Sequence, residues 1–228
     1  MNILFNCSVL VSLLIERVTT DPASLRREYT ADGLTEEAAG ADPYALFDLW
    51  FQRAAKRVAE PNAMTLSTST RDGFPSSRIV LLKGYDARGL VFYTNYDSRK
   101  GKEIEENPNA CLLFFWQELE QQIRIEGPLS KTSREESESY FESRPLESRI
   151  GAHASAQSSI ISGRQFLIDR VKEIQSKYGE RVPLPDNWGG YRLAPTVFEF
   201  WQGGVARLHD RIRFRMEKDS WIRERLSP

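Results

Sequence analysis

The sequence predicts a mainly β protein of the α+β class, in which an antiparallel β-barrel carries helices between some of its strands. Short runs rich in β-branched and aromatic residues recur along the chain and favour strands. Two of these runs flank the turn Arg71-Asp72-Gly73, which is typical of a β-hairpin. Strands and helices do not alternate regularly, which disfavours a parallel β-α-β sheet.

Helices are predicted where apolar residues recur at helical spacing and where proline or capping residues mark the ends. The first begins at Pro43, which suits a first helical turn, and continues through Val58 to the break at Pro61. The other predicted helices cover residues 98–107, 133–143 and 164–178. These helices are expected to decorate the barrel.

Strands are predicted from short apolar runs bounded by turn residues. Residues 64–70 and 76–82 form the first predicted hairpin. The later strands are predicted over residues 90–95, 110–116, 122–129, 197–202, 207–215 and 220–225. Because no repeat, low-complexity tract or linker divides them, we expect residues 43–228 to form one domain.

Composition excludes several classes of function. The chain has 31 basic and 32 acidic residues and a formal charge of −1, so we expect no nucleic-acid or membrane partner. The only cysteines are Cys7 and Cys111, and the only histidines are His153 and His209. They predict neither a disulfide framework nor a metal site, and they fit a reducing cytoplasm. P-loop, Rossmann and nucleophile-elbow motifs are absent from the sequence.

Residues 1–20 form an atypical apolar start to the chain. The run from Ile3 to Ile15 is similar to the core of a signal peptide, but no basic segment precedes it and no small-x-small site follows it. It is also shorter than the ~20 residues of a membrane-spanning helix. We interpret these residues as a non-essential extension, with export or anchoring as the alternative.

Residues Asp97 to Lys100 predict an anion site. Asp97 or Ser98 can cap the helix that follows, yet Arg99 and Lys100 then lie in its first turn, where the helix dipole disfavours positive charge. A bound phosphate would resolve this conflict, because helix N-terminal N–H groups and two cations suit an anion. The alternative is a surface charge cluster.

The strand RIVLLK carries a cation at each end, Arg78 and Lys83. Strand alternation puts them on opposite faces, so without a bulge they are not expected to share one target. Two neighbouring anionic ligands would use both cations. Solvated strand ends are the alternative.

Tyr140, Arg144 and Ser148 recur at every fourth residue and could converge on a second anion. Pro145 must end the helix after Ser143, so an ordinary helix boundary is the alternative. A third group is predicted near the C-terminus. If residues 207–215 form a strand, Arg207, His209 and Arg211 share one face, near Trp201.

Nine motifs, in order, resemble those of the pyridoxamine 5′-phosphate oxidase family. They are RRE-Y, RIVLLK, VFYTN-x-x-SRKG, Y-F-x-SRP, QSS, WGGYR, EFWQGG, RLHDR and ERLSP, and they run from about Leu25 to Pro228. Each motif alone is weak, but the complete ordered series argues against chance. The resemblance implies a homodimer of FMN-binding split β-barrels, with two FMN molecules in clefts between the subunits.

The resemblance also implies an activity in vitamin B6 metabolism. Pyridoxamine 5′-phosphate and pyridoxine 5′-phosphate would be oxidised to pyridoxal 5′-phosphate by FMN and molecular oxygen, with release of hydrogen peroxide. The protein would orient and shield the two rings while the flavin performs the redox step. The two phosphomonoesters would account for two separate cation clusters.

Carried over residue by residue, the resemblance implies three groups of site residues. Contacts to FMN are expected from Arg78, Ile79, Val80, Leu81, Leu82, Lys83, Tyr93, Thr94, Arg99, Lys100, Gln122, Gln157, Ser158, Trp201 and Arg211. Contacts to the substrate phosphate are expected from Lys83, Tyr140, Arg144 and Ser148. Contacts to the rest of the substrate are expected from Arg207, His209, Arg26, Arg27 and Tyr29.

Arg207 and His209 are the expected catalytic residues. Our hypothesis is that Arg207 positions the pyridine ring and stabilises charge at C4′, while His209 orients the substrate or handles a proton. Arg26, Arg27 and Tyr29 belong to residues 21–42, which are expected to form a lid segment over the substrate.

Two other functions stay open. One is a different split-barrel flavoprotein, such as a deazaflavin- or haem-linked reductase, although the motifs Y-F-x-SRP and RLHDR argue against it. The other is a carrier that binds pyridoxal 5′-phosphate without turnover, although such a carrier has no need of the flavin motifs.

Overall fold

A computed structural model describes residues 21–31 and 33–228, so the predicted extension over residues 1–20 lies outside the described residues. The strands are β1 (Ala63–Ser69), β2 (Pro75–Leu81), β3 (Gly84–Asp86), β4 (Gly89–Asn95), β5 (Asn109–Trp116), β6 (Gln121–Lys131), β7 (Trp188–Leu193), β8 (Val197–Gln202), β9 (Asp210–Glu217) and β10 (Ser220–Leu226). The α-helices are α1 (Glu36–Ala39), α2 (Pro43–Ala54), α3 (Arg99–Glu106), α4 (Arg134–Glu142), α5 (Leu146–Ala154) and α6 (Arg164–Tyr178).

All strand pairs of the sheet are antiparallel, as predicted. The main path runs β10-β9-β8-β6-β5-β1-β2, so β2 ends the sheet on one side. The long strand β6 pairs with β8 through its first half and with β7 through Leu129, Ser130 and Lys131. Strand β7 then pairs with β4, and β4 with β3. Because β6 serves both branches, the sheet curls on itself around one core.

The main core is aromatic and lies between the curled sheet and α2. Phe114, Phe198, Phe200 and Phe214 are fully buried on the strands. Helix α2 contributes Trp50, whose ring meets Phe200 edge-on at 5.4 Å between centroids. Rings in this arrangement add stabilisation beyond the area that they bury.

A smaller apolar cluster forms where α4, α5 and α6 pack beside β7. Phe141, Ile150, Ile174 and Trp188 are its main buried side chains. Trp188 lies at the start of β7, so the cluster fixes these helices against the sheet. The ends of α4 and α5 are thereby held next to β4.

Most of the predicted elements are confirmed. Strands β3 and β7 and helices α1 and α5 were not predicted. The first helix ends at Ala54, because the backbone N–H groups of Lys56 and Arg57 donate to the carbonyl group three residues earlier instead of four. None of the described helices is long and apolar enough to cross a membrane.

The strand predicted over residues 207–215 is wrong at its start. Val205–Arg207 is a short 3-10 turn, and both Ala206 and Arg207 have positive φ. Strand β9 begins only at Asp210. Arg207 therefore does not share a strand face with Arg211, and the alternation argument for this group does not hold.

Gly101 is required by a close approach in the first turn of α3. A Cβ atom on Gly101 would lie 1.9 Å from the carbonyl oxygen of Tyr96, whereas one on Gly151 in α5 would meet nothing within 4 Å. Overpacking costs about 1–3 kcal/mol, and glycine inside a helix costs roughly 0.5–1 kcal/mol relative to alanine.

We therefore expect opposite effects from the same substitution at two helical positions. Gly101→Ala should lower the free energy of unfolding by about 1–3 kcal/mol, because the backbone must shift. Gly151→Ala should leave it unchanged or raise it by up to about 1 kcal/mol. Urea denaturation of both variants checks this, and equal stability of the two would contradict it.

Candidate active site

A cavity of about 740 Å³ lies between β2, β4, the N-terminus of α3 and the α4–α5 connection. We call it the main cavity. It falls within the range of about 300–1,000 Å³ that is usual for small-molecule sites. It is lined by residues 76–81 and by Lys83, Tyr93, Thr94, Arg99, Lys100, Tyr140, Arg144, Pro145, Ser148, Gln157, Ser158 and Trp188. Most of the predicted FMN and phosphate residues therefore lie together.

The main cavity runs along the edge of β2. Its lining includes six consecutive residues, 76–81, whereas a cavity on one face of a strand would touch alternate residues. Arg78 and Lys83 consequently line the same cavity, Arg78 within β2 and Lys83 two residues beyond its end, so both cations are available to ligands bound there. Leu82 points instead into the main core and is 4% exposed.

Glu103 on α3 gathers the donors at one end of the main cavity. Its carboxylate accepts hydrogen bonds from Thr68 Oγ1 at 2.5 Å and Ser76 Oγ at 2.6 Å. It also accepts from Arg99 Nε at 2.8 Å and Arg78 Nη2 at 3.1 Å. Burial alone would raise the pKa of Glu103, but these hydrogen bonds lower it to about 2. Glu103 was not predicted, although its spacing of four from Arg99 permits a pair.

Lys100 lies buried beside this group. Its Nζ donates to Gln157 Oε1 at 2.8 Å, Thr94 Oγ1 at 3.1 Å and Ser98 Oγ at 3.3 Å. Burial, and next the charge of Arg78, lower the pKa of Lys100 to about 8. Ser98 caps α3 as predicted, since its Oγ accepts from Gly101 N. Two cations thus lie in a first helical turn, where an anion is the favoured neighbour.

An aromatic stack forms another part of the cavity wall and supports Arg144. The rings of Tyr93 and Tyr140 are stacked 3.9 Å apart, and Trp188 is parallel to Tyr93 at 5.6 Å. The Arg144 guanidinium lies 4.6 Å from the Trp188 ring centroid. Ser148 lines the same cavity from α5, so Tyr140, Arg144 and Ser148 lie around one cavity. Trp188 was not predicted.

Arg144 carries the clearest sign of an anionic ligand. Its Nη1 atom is buried and has no hydrogen-bond partner among the described residues. Burial lowers the pKa of Arg144, since the charged form has lost water without gaining an anion. A buried donor left unpaired costs about 1–3 kcal/mol or more, which an anion in the main cavity would recover.

The other predicted site residues lie outside the main cavity. Tyr29, Trp201 and His209 form what we call the aromatic cluster, with ring centroids 4.7 to 5.6 Å apart. Gln122 is the cross-strand partner of Trp201, and Arg211 hydrogen-bonds Glu199 at 2.9 Å. Arg26, Arg27 and Arg207 are exposed.

His209 is oriented by the turn that precedes it. Its Nδ1 accepts a hydrogen bond from the backbone N–H of Gly204 at 3.1 Å. Because Nδ1 is the acceptor, the neutral ring carries its proton on Nε2. His209 therefore presents a donor on the side away from Gly204.

Comparison with known proteins identifies the family. Residues 51–178 match the family described as pyridoxamine 5′-phosphate oxidase. The chain belongs to this family. Residues 188–228 match the region described as the pyridoxine 5′-phosphate oxidase C-terminal dimerisation region, which contains Trp201, Arg207, His209 and Arg211.

Curated relatives of the family match along nearly their whole length. A pyridoxine/pyridoxamine 5′-phosphate oxidase of Bordetella petrii is 55% identical over 208 residues, which is 90% of this chain and 99% of the relative. One of Cupriavidus necator is 53% identical over 211 residues, which is 92% of this chain and 100% of the relative. These relatives support an oxidase.

Solved structures confirm the predicted fold. PhzG from Burkholderia lata, crystallised with tetrahydrophenazine-1-carboxylic acid, is 33% identical and superposes with a TM-score of 0.82, over 87% of this chain and 99% of PhzG. A pyridoxamine 5′-phosphate oxidase-related, FMN-binding protein of Nostoc punctiforme gives a TM-score of 0.65 at 15% identity, over 83% and 100% of the chains. At 15% identity, the similarity to the Nostoc punctiforme protein concerns only the fold. The protein is a split barrel of this family.

Glu103 should make the stability of the protein depend on pH. Its pKa falls from 4.5 to about 2 on folding, so its stabilising effect is complete above about pH 4.5 and is lost as the pH falls towards 2. At pH 7, Glu103→Gln should lower the free energy of unfolding by about 1–3 kcal/mol, because Arg78 and Arg99 lose a charged acceptor. The difference from the unmodified protein should shrink between pH 4.5 and pH 3.

Urea denaturation at several pH values measures this difference. Glu105→Gln is the matched control, because Glu105 is exposed on the same helix. It should change the free energy of unfolding by less than about 0.5 kcal/mol at each pH. If Glu103→Gln lowered the free energy of unfolding by the same amount at every pH down to 3, the lowered pKa of Glu103 would be contradicted.

Proposed function

We propose that the protein uses FMN and molecular oxygen to oxidise pyridoxamine 5′-phosphate and pyridoxine 5′-phosphate to pyridoxal 5′-phosphate. Hydrogen peroxide is released from both substrates, and with the amine a water molecule supplies the aldehyde oxygen and ammonia leaves. The observation that carries the proposal is the buried Nη1 of Arg144, which has no hydrogen-bond partner in the part of the chain that the structure describes and lies in a cavity with a second cation cluster. The names of the curated relatives support the same substrates.

The residues of the main cavity fit FMN. Arg78, Arg99 and Lys100 would hold its phosphate at the N-terminus of α3, where Glu103 already aligns the two arginines. The edge of β2 would lie along the rest of the cofactor. When bound, FMN would accept a hydride equivalent from C4′ of the substrate and pass the electrons to oxygen.

A second phosphate would occupy the other wall. Tyr140, Arg144 and Ser148 converge there, with Lys83 at the exposed end of β2. The Tyr93–Tyr140 stack restricts the Tyr140 ring, so its hydroxyl is pre-organised as a donor. Two cation groups in one cavity match a pair of phosphorylated ligands better than a single ligand.

The partner subunit would complete the site. The aromatic cluster and Arg207 do not line the main cavity of their own chain, and they belong to the region that matches the dimerisation family. Apolar side chains are exposed at both places, with Ile79 64% and Leu208 74% exposed. A homodimer that covers these side chains would bring one subunit's aromatic cluster to the other subunit's main cavity.

In this arrangement Arg207 and His209 act on the pyridine ring. The exposed Arg207 guanidinium would position the ring and stabilise charge at C4′, and His209 would use its Nε2 proton to orient the substrate. Arg26, Arg27 and Tyr29 would close over the substrate as part of the lid segment. We propose a cytoplasmic location, which agrees with the water-soluble, phosphorylated ligands proposed here.

The test of the proposal is anaerobic mixing of the purified protein with pyridoxine 5′-phosphate. The flavin absorbance bands should bleach and should return when oxygen is admitted, with pyridoxal 5′-phosphate formed. Unphosphorylated pyridoxine is the control. It should bleach the flavin far more slowly, because it has no phosphate for Arg144 to bind. A yellow protein that stays oxidised would indicate another split-barrel flavoenzyme, and a colourless one a carrier.

The shared site is tested by mixing two inactive variants. Arg207→Ala and His209→Ala should lose turnover while keeping FMN, and Arg144→Ala should lose turnover at low substrate concentration. Co-expressed Arg144→Ala and Arg207→Ala subunits should recover about a quarter of the activity. Random pairing makes about half of the dimers mixed, and each mixed dimer has one intact site.

Activity and flavin content are measured on the mixture and on the separated mixed dimer, which should keep about half of the unmodified activity because one of its two sites is intact. The control is the double variant Arg144→Ala/Arg207→Ala mixed with unmodified protein, in which no mixed dimer keeps an intact site. Absence of recovery in the first mixture would show that both residues serve one subunit's site. Flavin loss with normal turnover per bound FMN would contradict the role of Arg207.

A further inference from the structure

The lid segment is tied to the barrel at one buried carboxylate. Glu120 follows the short 3-10 turn Gln117–Leu119 and precedes β6, with a left-handed backbone and a side chain only 9% exposed. Its Oε2 accepts the backbone N–H of Thr30 at 2.8 Å. Its Oε1 accepts Arg27 Nη2 at 3.2 Å. Neither the family resemblance nor the proposed chemistry gives Glu120 a role.

The backbone of the same residue holds the turn beneath the lid segment. The Glu120 carbonyl accepts the N–H of Gly203 at 2.8 Å and Gln202 Nε2 at 3.1 Å. Gly203 lies directly against Tyr29, because a Cβ atom there would be 2.7 Å from Tyr29 Cγ. The next residue, Gly204, donates to His209 Nδ1. Glu120 thus hydrogen-bonds Thr30, which follows Tyr29, and Gln202 and Gly203, which follow Trp201.

A second tie lies further along the segment. Leu34 N donates to Asp210 Oδ2 at 2.9 Å, and Arg225 Nη2 donates to the Leu34 carbonyl at 2.9 Å. Residues from Leu34 onward are therefore fixed without Glu120. Loss of the Glu120 contacts would free the part of the segment that contains Tyr29 and would leave α1 in position.

We propose that Glu120 is a positioning residue, which holds residues 27–30 closed so that Tyr29 rests on Trp201 and His209. The charge-assisted bonds to Arg27 and Thr30 fix the segment, and the glycine turn beneath receives the Tyr29 ring. The proposal rests on the proposed function, because it treats the aromatic cluster as part of the substrate site. Glu120 would act on substrate retention through Tyr29 and would not touch the reacting atoms.

The experiment compares Glu120→Gln and Glu120→Ala with Glu118→Gln as the control. The Gln variant keeps an acceptor for Thr30 but loses the charge that binds Arg27, and the Ala variant loses both. Glu118 lies exposed in the same turn and, together with Glu120, lines a pocket beside Arg27 and Thr30. Two readouts are measured on the FMN-loaded protein, namely hydrogen exchange of residues 26–34 and the steady-state constants for pyridoxine 5′-phosphate.

The expected result is a graded opening. Exchange at Thr30 should rise about tenfold in Glu120→Ala and less in Glu120→Gln, because each lost charged bond weakens closure. KM should rise about tenfold while kcat stays within about twofold and FMN content is unchanged. Glu118→Gln should match the unmodified protein. In an Arg27→Ala/Glu120→Gln double variant, KM should rise no further than in the larger single variant.

Three results would overturn the proposal. They are unchanged exchange at Thr30 in Glu120→Ala, faster exchange without a rise in KM, and a joint loss of FMN, kcat and thermal stability. The Gln variant keeps the size of the side chain, so it separates a folding defect from a loss of positioning. If the unmodified protein fails to oxidise pyridoxine 5′-phosphate, the proposed function fails. Exchange at Thr30 then decides whether Glu120 holds the segment.

Discussion

The candidate site depends on the buried carboxylate of Glu103, which allows several positively charged side chains to lie close together. Arg78, Arg99 and Lys100 lie at the same end of the main cavity, where their mutual repulsion would otherwise spread them apart. Glu103 accepts hydrogen bonds from both arginines and from two hydroxyl groups, so the two arginines keep their positions before any ligand arrives. Binding an anion then requires little rearrangement, which is the advantage of a pre-organised site.

The sequence predicted those helices and strands that are marked by nearby residues, such as a turn dipeptide or a regular apolar spacing. The first hairpin has its D-G turn, and the helix over 164–178 has its apolar spacing. Strand β7 was missed because its Trp-Gly-Gly start resembles a turn, whereas pairing with β4 and β6 makes it a strand. The predicted strand at residue 207 was wrong because positive φ at Ala206 and Arg207 forms a turn that no propensity signals.

The same limit applies to the site. The cations beside Ser98 were found because helix geometry relates neighbours in sequence. Tyr140, Arg144 and Ser148 line one cavity even though the helix is interrupted between Glu142 and Leu146. Glu103, Trp188 and Glu120 were not found, because the partners that define them lie far away. Thr68 is 35 residues from Glu103, and Thr30 is 90 residues from Glu120. The order of the motifs along the chain likewise did not predict that some of the site residues line the main cavity while the others lie at the aromatic cluster.

The position of β2 at the end of the sheet also bears on the solubility of the chain. An edge strand offers backbone groups that can pair with another molecule, and exposed apolar side chains such as Ile79 increase this hazard. The main cavity lies along this edge, so a ligand bound there would also shield it. Loss of that ligand, or of the partner subunit proposed to cover Ile79, would therefore leave β2 open to pairing with other sheets, so that aggregation would accompany loss of activity.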